Sequence, residues 1–376
     1  MPAKQPNVLW LFTDQQRFDT IAALGNPVIR TPNLDRLCRQ GVAFRSAYTP
    51  DPVCVPARAS MHYGQYPCRT GCYENRYPMP TNERPSVMDA LSAAGYYTHA
   101  IGKRHFRPDP HALRGFQTIE RQEEGIPPDQ DDYLQFLFAE GFDHLTDPHG
   151  VRSEMYYVPQ PAQMPARLHP TQWVGDRAVR LVNERSASAQ PWLGFVSFIH
   201  PHPPFAPPAP WHKLYRAPRM PLPNVPPDHE VLWTWINRHQ NRYKYRDQGI
   251  DRNLVRCIKA YYYAAISFVD YQIGRVLDAL ESTGQAASTL VLFASDHGEH
   301  LGDRHCFGKR SMHDSASRVP LLLRWPGRFD GGQTCDRPVS LVDVAPTLLA
   351  ACGADMPSEQ LDGVDLAEVL AGRVQR

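Results

Sequence analysis

Short apolar runs alternate with amphipathic stretches along this chain. Asn7–Asp14, "NVLWLFTD", is apolar almost without interruption and ends in a carboxylate. A strand with one wet face would alternate apolar with polar residues, so this run predicts a strand covered on both faces. Pro191–His202, "PWLGFVSFIHPH", and Ser288–Gly298, "STLVLFASDHG", predict two more, and "YYTHAIGK" from Tyr96 a fourth. Between them the spacing turns helical. Thr31–Gly41, "TPNLDRLCRQG", predicts a capped helix stopped by glycine. Arg84–Gly95 predicts a second, with Val87, Met88 and Leu91 on one face, and Ala264–Gly284 a long amphipathic one. Strands interleaved with helices predict an α/β fold, a mostly parallel sheet with helices on both faces.

Two stretches break the rhythm. Residues 200–227 are proline-rich and predict an extended surface excursion; residues 122–166 are irregular and acidic in their first half. Both are expected at the rim of a pocket. There is no internal repeat.

Composition narrows the class. The 376 residues are 42% hydrophobic and 21% charged, with formal net charge +1. This suits one large soluble domain over 1–376, with a short tail at 354–376. Near-neutrality removes any general reason to expect nucleic acid or an anionic membrane as partner. The start "MPAKQP" carries no apolar leader, so the cytoplasm is the expected compartment. Eight scattered cysteines predict reduced thiols; a Cys68–Cys72 pair is weighed and set aside, because no matching second pair exists.

Chemistry gathers where the strands stop. Asp14-Gln15 and Asp296-His297 end two runs, and Lys103, His105 and His202 follow the others. Ligands of open α/β sheets collect beyond the carboxyl ends of the strands, so these groups are expected on one rim. Lysine is scarce, six against thirty-four arginines, yet Lys103 and Lys309 both follow glycine in such segments. A compact ammonium there can point at an anion.

"PVCVPARAS", Pro52–Ser60, adds Cys54, Pro56 and Arg58 at alternate positions. Proline fixes the backbone near a helix start, which puts Cys54 at the positive end of a helix dipole and Arg58 one turn along, able to hold an anion. The plain reading is a low-pKa thiolate nucleophile. The oxygen donors Asp14, Gln15 and Asp296 suit a hard cation instead, which predicts that the working group at position 54 carries oxygen.

At this point "CVPAR" resembles the type I sulfatase signature, whose cysteine is oxidised to formylglycine. "NVLWLFTDQQRFDT", "GKRHF", "PHPPF", "SDHGEHLGDRHCFGK", "RVPLLLRWPG" and "SLVDVAPTLLAACG" resemble further segments of that family in order. The resemblance implies an alkaline-phosphatase-like α/β/α sandwich. It implies a divalent cation, usually calcium, held by Asp14, Gln15, Asp296, His297 and the modified Cys54. Arg58 would brace the modified side chain, and Lys103 and His105 would flank it. His202 and Lys309 would hold the sulfate and help the leaving oxygen depart. Asn75 is a further candidate sulfate contact, with a turn asparagine as its other reading.

The implied partners are a small-molecule or saccharide sulfate ester and a formylglycine-generating enzyme. The Asp-Gln and Asp-His pairs depart from the commoner Asp-Asp and Asp-Asn. They keep manganese or magnesium open, and a phosphonate monoester or phosphodiester as the alternative ester. The family's small C-terminal subdomain is expected to be absent or truncated, leaving a truncated form, a minimal form, or a rim completed by a neighbouring subunit in a homo-oligomer.

Overall fold

The computed structural model describes residues 5–80, 84–243 and 251–374. One sheet holds β1 (Asn7–Asp14), β2 (Val42–Phe44), β3 (Tyr97–Gly102), β4 (Thr118–Arg121), β5 (Trp192–Pro201), β6 (Thr289–Ser295), β7 (Leu321–Arg324) and β8 (Gln333–Cys335). Their order across the sheet is β4-β3-β5-β1-β6-β7-β2-β8. Only β7 in this sheet runs against its neighbours.

β1 lies at the centre, with Trp10 opposite Phe195 on one side and Leu292 on the other. Its apolar run is continuous because both faces are covered. Val8, Trp10 and Phe12 enter one core; Leu9 and Leu11 enter the other. Helices α2 (Cys54–Tyr63), α3 (Val87–Ala93) and α6 (Val344–Cys352) cover the first face. Helices α1 (Pro32–Gln40), α4 (Pro170–Arg185) and α5 (Arg252–Ser282) cover the second. Each fully buried large apolar side chain contributes roughly 1.5–3 kcal/mol. The sandwich is therefore held mainly by these two layers.

Several local expectations need correction. The Thr31 side chain does not cap α1, because its Oγ1 is taken by the Ala22 N–H at 2.9 Å. Asp270 of α5 accepts from the Leu34 N–H at 2.7 Å instead, a cap supplied by another helix. α5 begins at Arg252, twelve residues before the expected start, with Asp251 as its cap. That added length buries Val255, Ile258 and Tyr262 against Phe205, Tyr215 and Met220 of the proline-rich stretch, which stays irregular apart from single turns. In the tail, Leu366 and Val369 are buried in the first core. All eight cysteines are free thiols, Cys68 and Cys72 included.

Candidate active site

Four neighbouring strands deliver the chemistry to one edge. In sheet order, β3, β5, β1 and β6 are followed or ended by Lys103, His202, Asp14 and Asp296-His297. Gly102 makes the first delivery possible. Its φ is +88° and a Cβ there would lie 2.1 Å from the Ser197 carbonyl oxygen, so no other residue fits beside β5. Cys54 reaches the same edge as the first residue of α2, two positions ahead of Pro56.

The reactive atoms converge. Ligand atoms of Asp14, Cys54, Asp296 and His297 all lie within 4.8 Å of one another, and all four residues are buried. The Cys54 Sγ is 3.3 Å from His297 Nε2 and 3.8 Å from Asp14 Oδ1. The Lys309 ammonium stands 2.9 Å from each of Cys54 Sγ, Gln15 Oε1 and His297 Nε2. His297 Nδ1 lies 3.0 Å from the Gly298 carbonyl, which assigns the N–H to Nδ1 and turns the Nε2 lone pair into the cluster.

The electrostatics are those of a cation site. Burial alone would raise the Asp14 carboxyl, but Lys103, with His202, Lys309 and Arg58 behind it, holds it well below the usual range. Asp296 moves the other way, raised by burial and by Asp14. Two buried carboxylates so close resist full ionisation unless positive charge is added between them. Burial and Asp14 oppose ionisation of the Cys54 thiol, yet Lys309, His297 and Lys103 bring it well below its ordinary value. Two carboxylates, an amide oxygen and an oriented imidazole fit a divalent cation, and two of them, Gln15 Oε1 and His297 Nε2, already hold the Lys309 ammonium.

The sulfatase family model matches residues 6–354. The chain belongs to the sulfatase family. By that membership it is a sulfuric ester hydrolase of the alkaline phosphatase superfamily. It is 31% identical to an arylsulfatase of Clostridium perfringens, over 98% of this chain and 79% of that protein. It is 30% identical to the multifunctional alkaline phosphatase superfamily protein PehA of Trinickia caryophylli, over 97% of this chain and 77% of that protein. The phosphonate monoester hydrolase of Agrobacterium radiobacter superposes with a TM-score of 0.84 at 27% identity, over 98% of this chain and 77% of that one.

Within this sulfatase, Arg58 turns to the carboxylates of the cluster. Its Nη2 donates to Asp14 Oδ2 and its Nε to Asp296 Oδ2, both at 3.2 Å, while Nη1 donates to the Lys103 carbonyl at 2.8 Å. Its fork is spent on two carboxylates and the backbone. Asn75 Oδ1 accepts from the Val55 N–H at 3.0 Å and so closes the start of α2. The His105 N–H donates to Glu123 at 3.0 Å. His200 is directed into the protein, with Nδ1 3.0 Å from Thr171 Oγ1, which leaves His202 as the histidine of this edge. Arg104, next to Lys103, is buried and donates to the carbonyls of Pro110 and Ala112.

The supporting residues come from loops that the sequence pattern left unassigned. Gln15 donates its amide to Glu299 and, at 3.2 Å, to Tyr157, which aims its oxygen at the cluster. Glu299 also accepts from the N–H groups of Leu301 at 2.9 Å and Gly308 at 2.6 Å, pinning the loop that carries Lys309. A glutamine at 15 thus matches a carboxylate at 299. Gln15→Glu should place two carboxylates together and destabilise the protein by about 1–3 kcal/mol. Glu299→Gln added to it should recover at least about 1 kcal/mol. Urea denaturation of the four proteins measures the coupling; strictly additive losses would show that the pairing is incidental.

Proposed function

We propose that this sulfatase cleaves its sulfate ester by covalent transfer to residue 54, matured from cysteine to formylglycine, with one divalent cation beside it. The convergence of Cys54, Asp14, Asp296 and His297 at the start of α2 supports this most directly. Asp14, Gln15, Asp296 and His297 would hold the cation, which we assign to calcium; His297 keeps manganese and magnesium as alternatives for elemental analysis to separate. Once bound, the cation supplies positive charge that offsets the sulfuryl group and acidifies a hydroxyl on residue 54. The hydrated aldehyde supplies two hydroxyls, one to take the sulfuryl group and one to expel sulfate on collapse to the aldehyde.

The chain's own residues do the rest. Arg58 fixes both carboxylates in place. Lys103, with two of its three donors on Asp14 and Glu124 at 2.7 Å each, has one left for a sulfuryl oxygen. Lys309 reaches the reacting atom of residue 54 and is placed to donate to the departing oxygen. His202 assists from the β5 edge. His105, two residues beyond Lys103, takes the proton of the second hydroxyl. Lys309→Ala should lower turnover by about 10²–10³-fold, and most for esters with poor leaving groups, where departing charge is greatest. An equal loss across a leaving-group series would reduce Lys309 to a binding contact.

A phosphonate monoester is the second reading, favoured by the Gln15 and His297 departures and by the phosphonate hydrolase likeness. Paired aryl sulfate and aryl phosphonate esters decide between them. Eight unpaired thiols support a reducing compartment, so we place the protein in the cytoplasm. No helix among the described residues is long and apolar enough to cross a membrane. A formylglycine-generating enzyme is the partner that this maturation requires.

A further inference from the structure

Glu124 has no part in the transfer above, yet it stands inside the substrate's reach. Its Oε2 accepts from the Lys103 ammonium at 2.7 Å, and its Oε1 lies 3.6 Å from His202 Nδ1, beyond hydrogen-bond range. Burial, with Lys103 next, pushes His202 well below its ordinary value, so the imidazole adds no positive charge beside this carboxylate, which faces Lys103, itself shared with Asp14, and Arg152. Arg152 pairs with Glu124 from outside, but its side chain is 38% exposed against 16% for Glu124, so solvent screens the cation more than the anion. The arrangement puts a fixed negative charge against the two groups assigned to the transferring oxyanion.

An oxygen bonded to Lys103 lies within about 5–6 Å of the Glu124 carboxylate, two hydrogen-bond lengths. Every additional negative charge on the ligand therefore meets Glu124 at close range. Sulfate monoesters and phosphonate monoesters carry one charge. A phosphate monoester carries a second above a pKa of about 6. We infer that Glu124 sets the charge-state selectivity of this site, admitting monoanionic esters and repelling dianionic phosphate monoesters, with Arg152 tempering it. This rests on the assignment of Lys103 to the transferring group, and it holds for either the sulfate or the phosphonate reading.

The test compares kcat/KM for a sulfate, a phosphonate and a phosphate ester of one aryl alcohol, in the mature wild-type protein, Glu124→Gln and Arg152→Gln. Glutamine keeps an acceptor for Lys103 and removes the charge. Glu124→Gln should raise the phosphate-to-sulfate ratio by about 10- to 100-fold at pH 8, where phosphate is dianionic, and change it little at pH 5. The phosphonate-to-sulfate ratio should stay constant. Arg152→Gln should lower the phosphate ratio at pH 8, and it decides the matter alone if Glu124→Gln does not fold. An unchanged ratio at pH 8, or an equal loss for all three esters at both pH values, would overturn the inference and leave Glu124 a structural partner of Lys103. Wild-type protein that turns over the phosphonate but not the sulfate would remove the sulfate reading only, since both esters are monoanions.

Discussion

Asp296→Ala is expected to remove bound divalent metal and to lower turnover by at least about 10³-fold, the scale of losing the main electrostatic stabiliser of a site. The variant loses more than a ligand. Asp296 Oδ1 also accepts from the Gln15 and His297 N–H groups, at 2.9 Å each, and Oδ2 holds the Arg58 Nε at 3.2 Å. Alanine leaves those donors unmet in a buried site, each costing about 1–3 kcal/mol. Relief of the Asp14–Asp296 repulsion offsets part of this, so the metal-free protein should lose about 3 kcal/mol in urea denaturation. Asp296→Asn separates the two roles. It keeps an acceptor for both N–H groups and loses the charge, so its stability should stay near wild type while its metal content and turnover fall. Asp296→Asn with one equivalent of metal and wild-type turnover would refute the metal assignment.

The strand ends were legible because a strand buried on both faces has an unmistakable apolar run, and the residue after it needs no further information to be placed. Asp14, Asp296, His202 and Lys103 are all read this way, and the sheet order brings them together. Partners were less legible than positions. The spacing of Cys54 and Arg58 puts both on the start of α2, but helical spacing says nothing of what a long side chain meets. Only the sheet edge shows that Arg58 turns to Asp14, Asp296 and the Lys103 carbonyl. Glu124, Tyr157 and Arg152 come from the aperiodic 122–166 stretch, whose acidic first half hinted at a rim but could not name a residue. Glu299 lay beside the Asp296-His297 pair. Its one available signal was chemical, since a buried glutamine at 15 needs an acceptor for its amide. The Thr31 cap failed for a similar reason: a threonine before a helix has several N–H groups to choose from, and Ala22 took it.

Protein whose Cys54 remains a thiol should be lower in sulfate ester turnover by roughly 10⁶-fold, as when a nucleophile is deleted outright. The expectation runs against the thiol's own chemistry. Lys309, His297 and Lys103 hold Cys54 well below its ordinary pKa, so it is a ready thiolate. Attack by that thiolate on the sulfuryl group would form a sulfur–sulfur bond and release the alcohol once. The adduct has no second hydroxyl on the same carbon, and so no internal route to expel sulfate. Under the proposed mechanism turnover requires oxygen at this position, and the alternate placing of Cys54, Pro56 and Arg58 would serve a modifying enzyme before it serves the site. Cys54 is 1% exposed in the folded chain, so the proposed oxidation is expected to precede folding. Expression with and without a formylglycine-generating enzyme should give activity in proportion to conversion, read on the tryptic peptide Ser46–Arg58 as loss of sulfur and gain of an aldehyde that a hydrazide traps. Folded protein whose Cys54 is still a thiol should gain no activity when treated with the same enzyme. Full turnover from protein whose Ser46–Arg58 peptide is wholly unmodified would return Cys54 to the role of an ordinary thiolate and end the formylglycine mechanism.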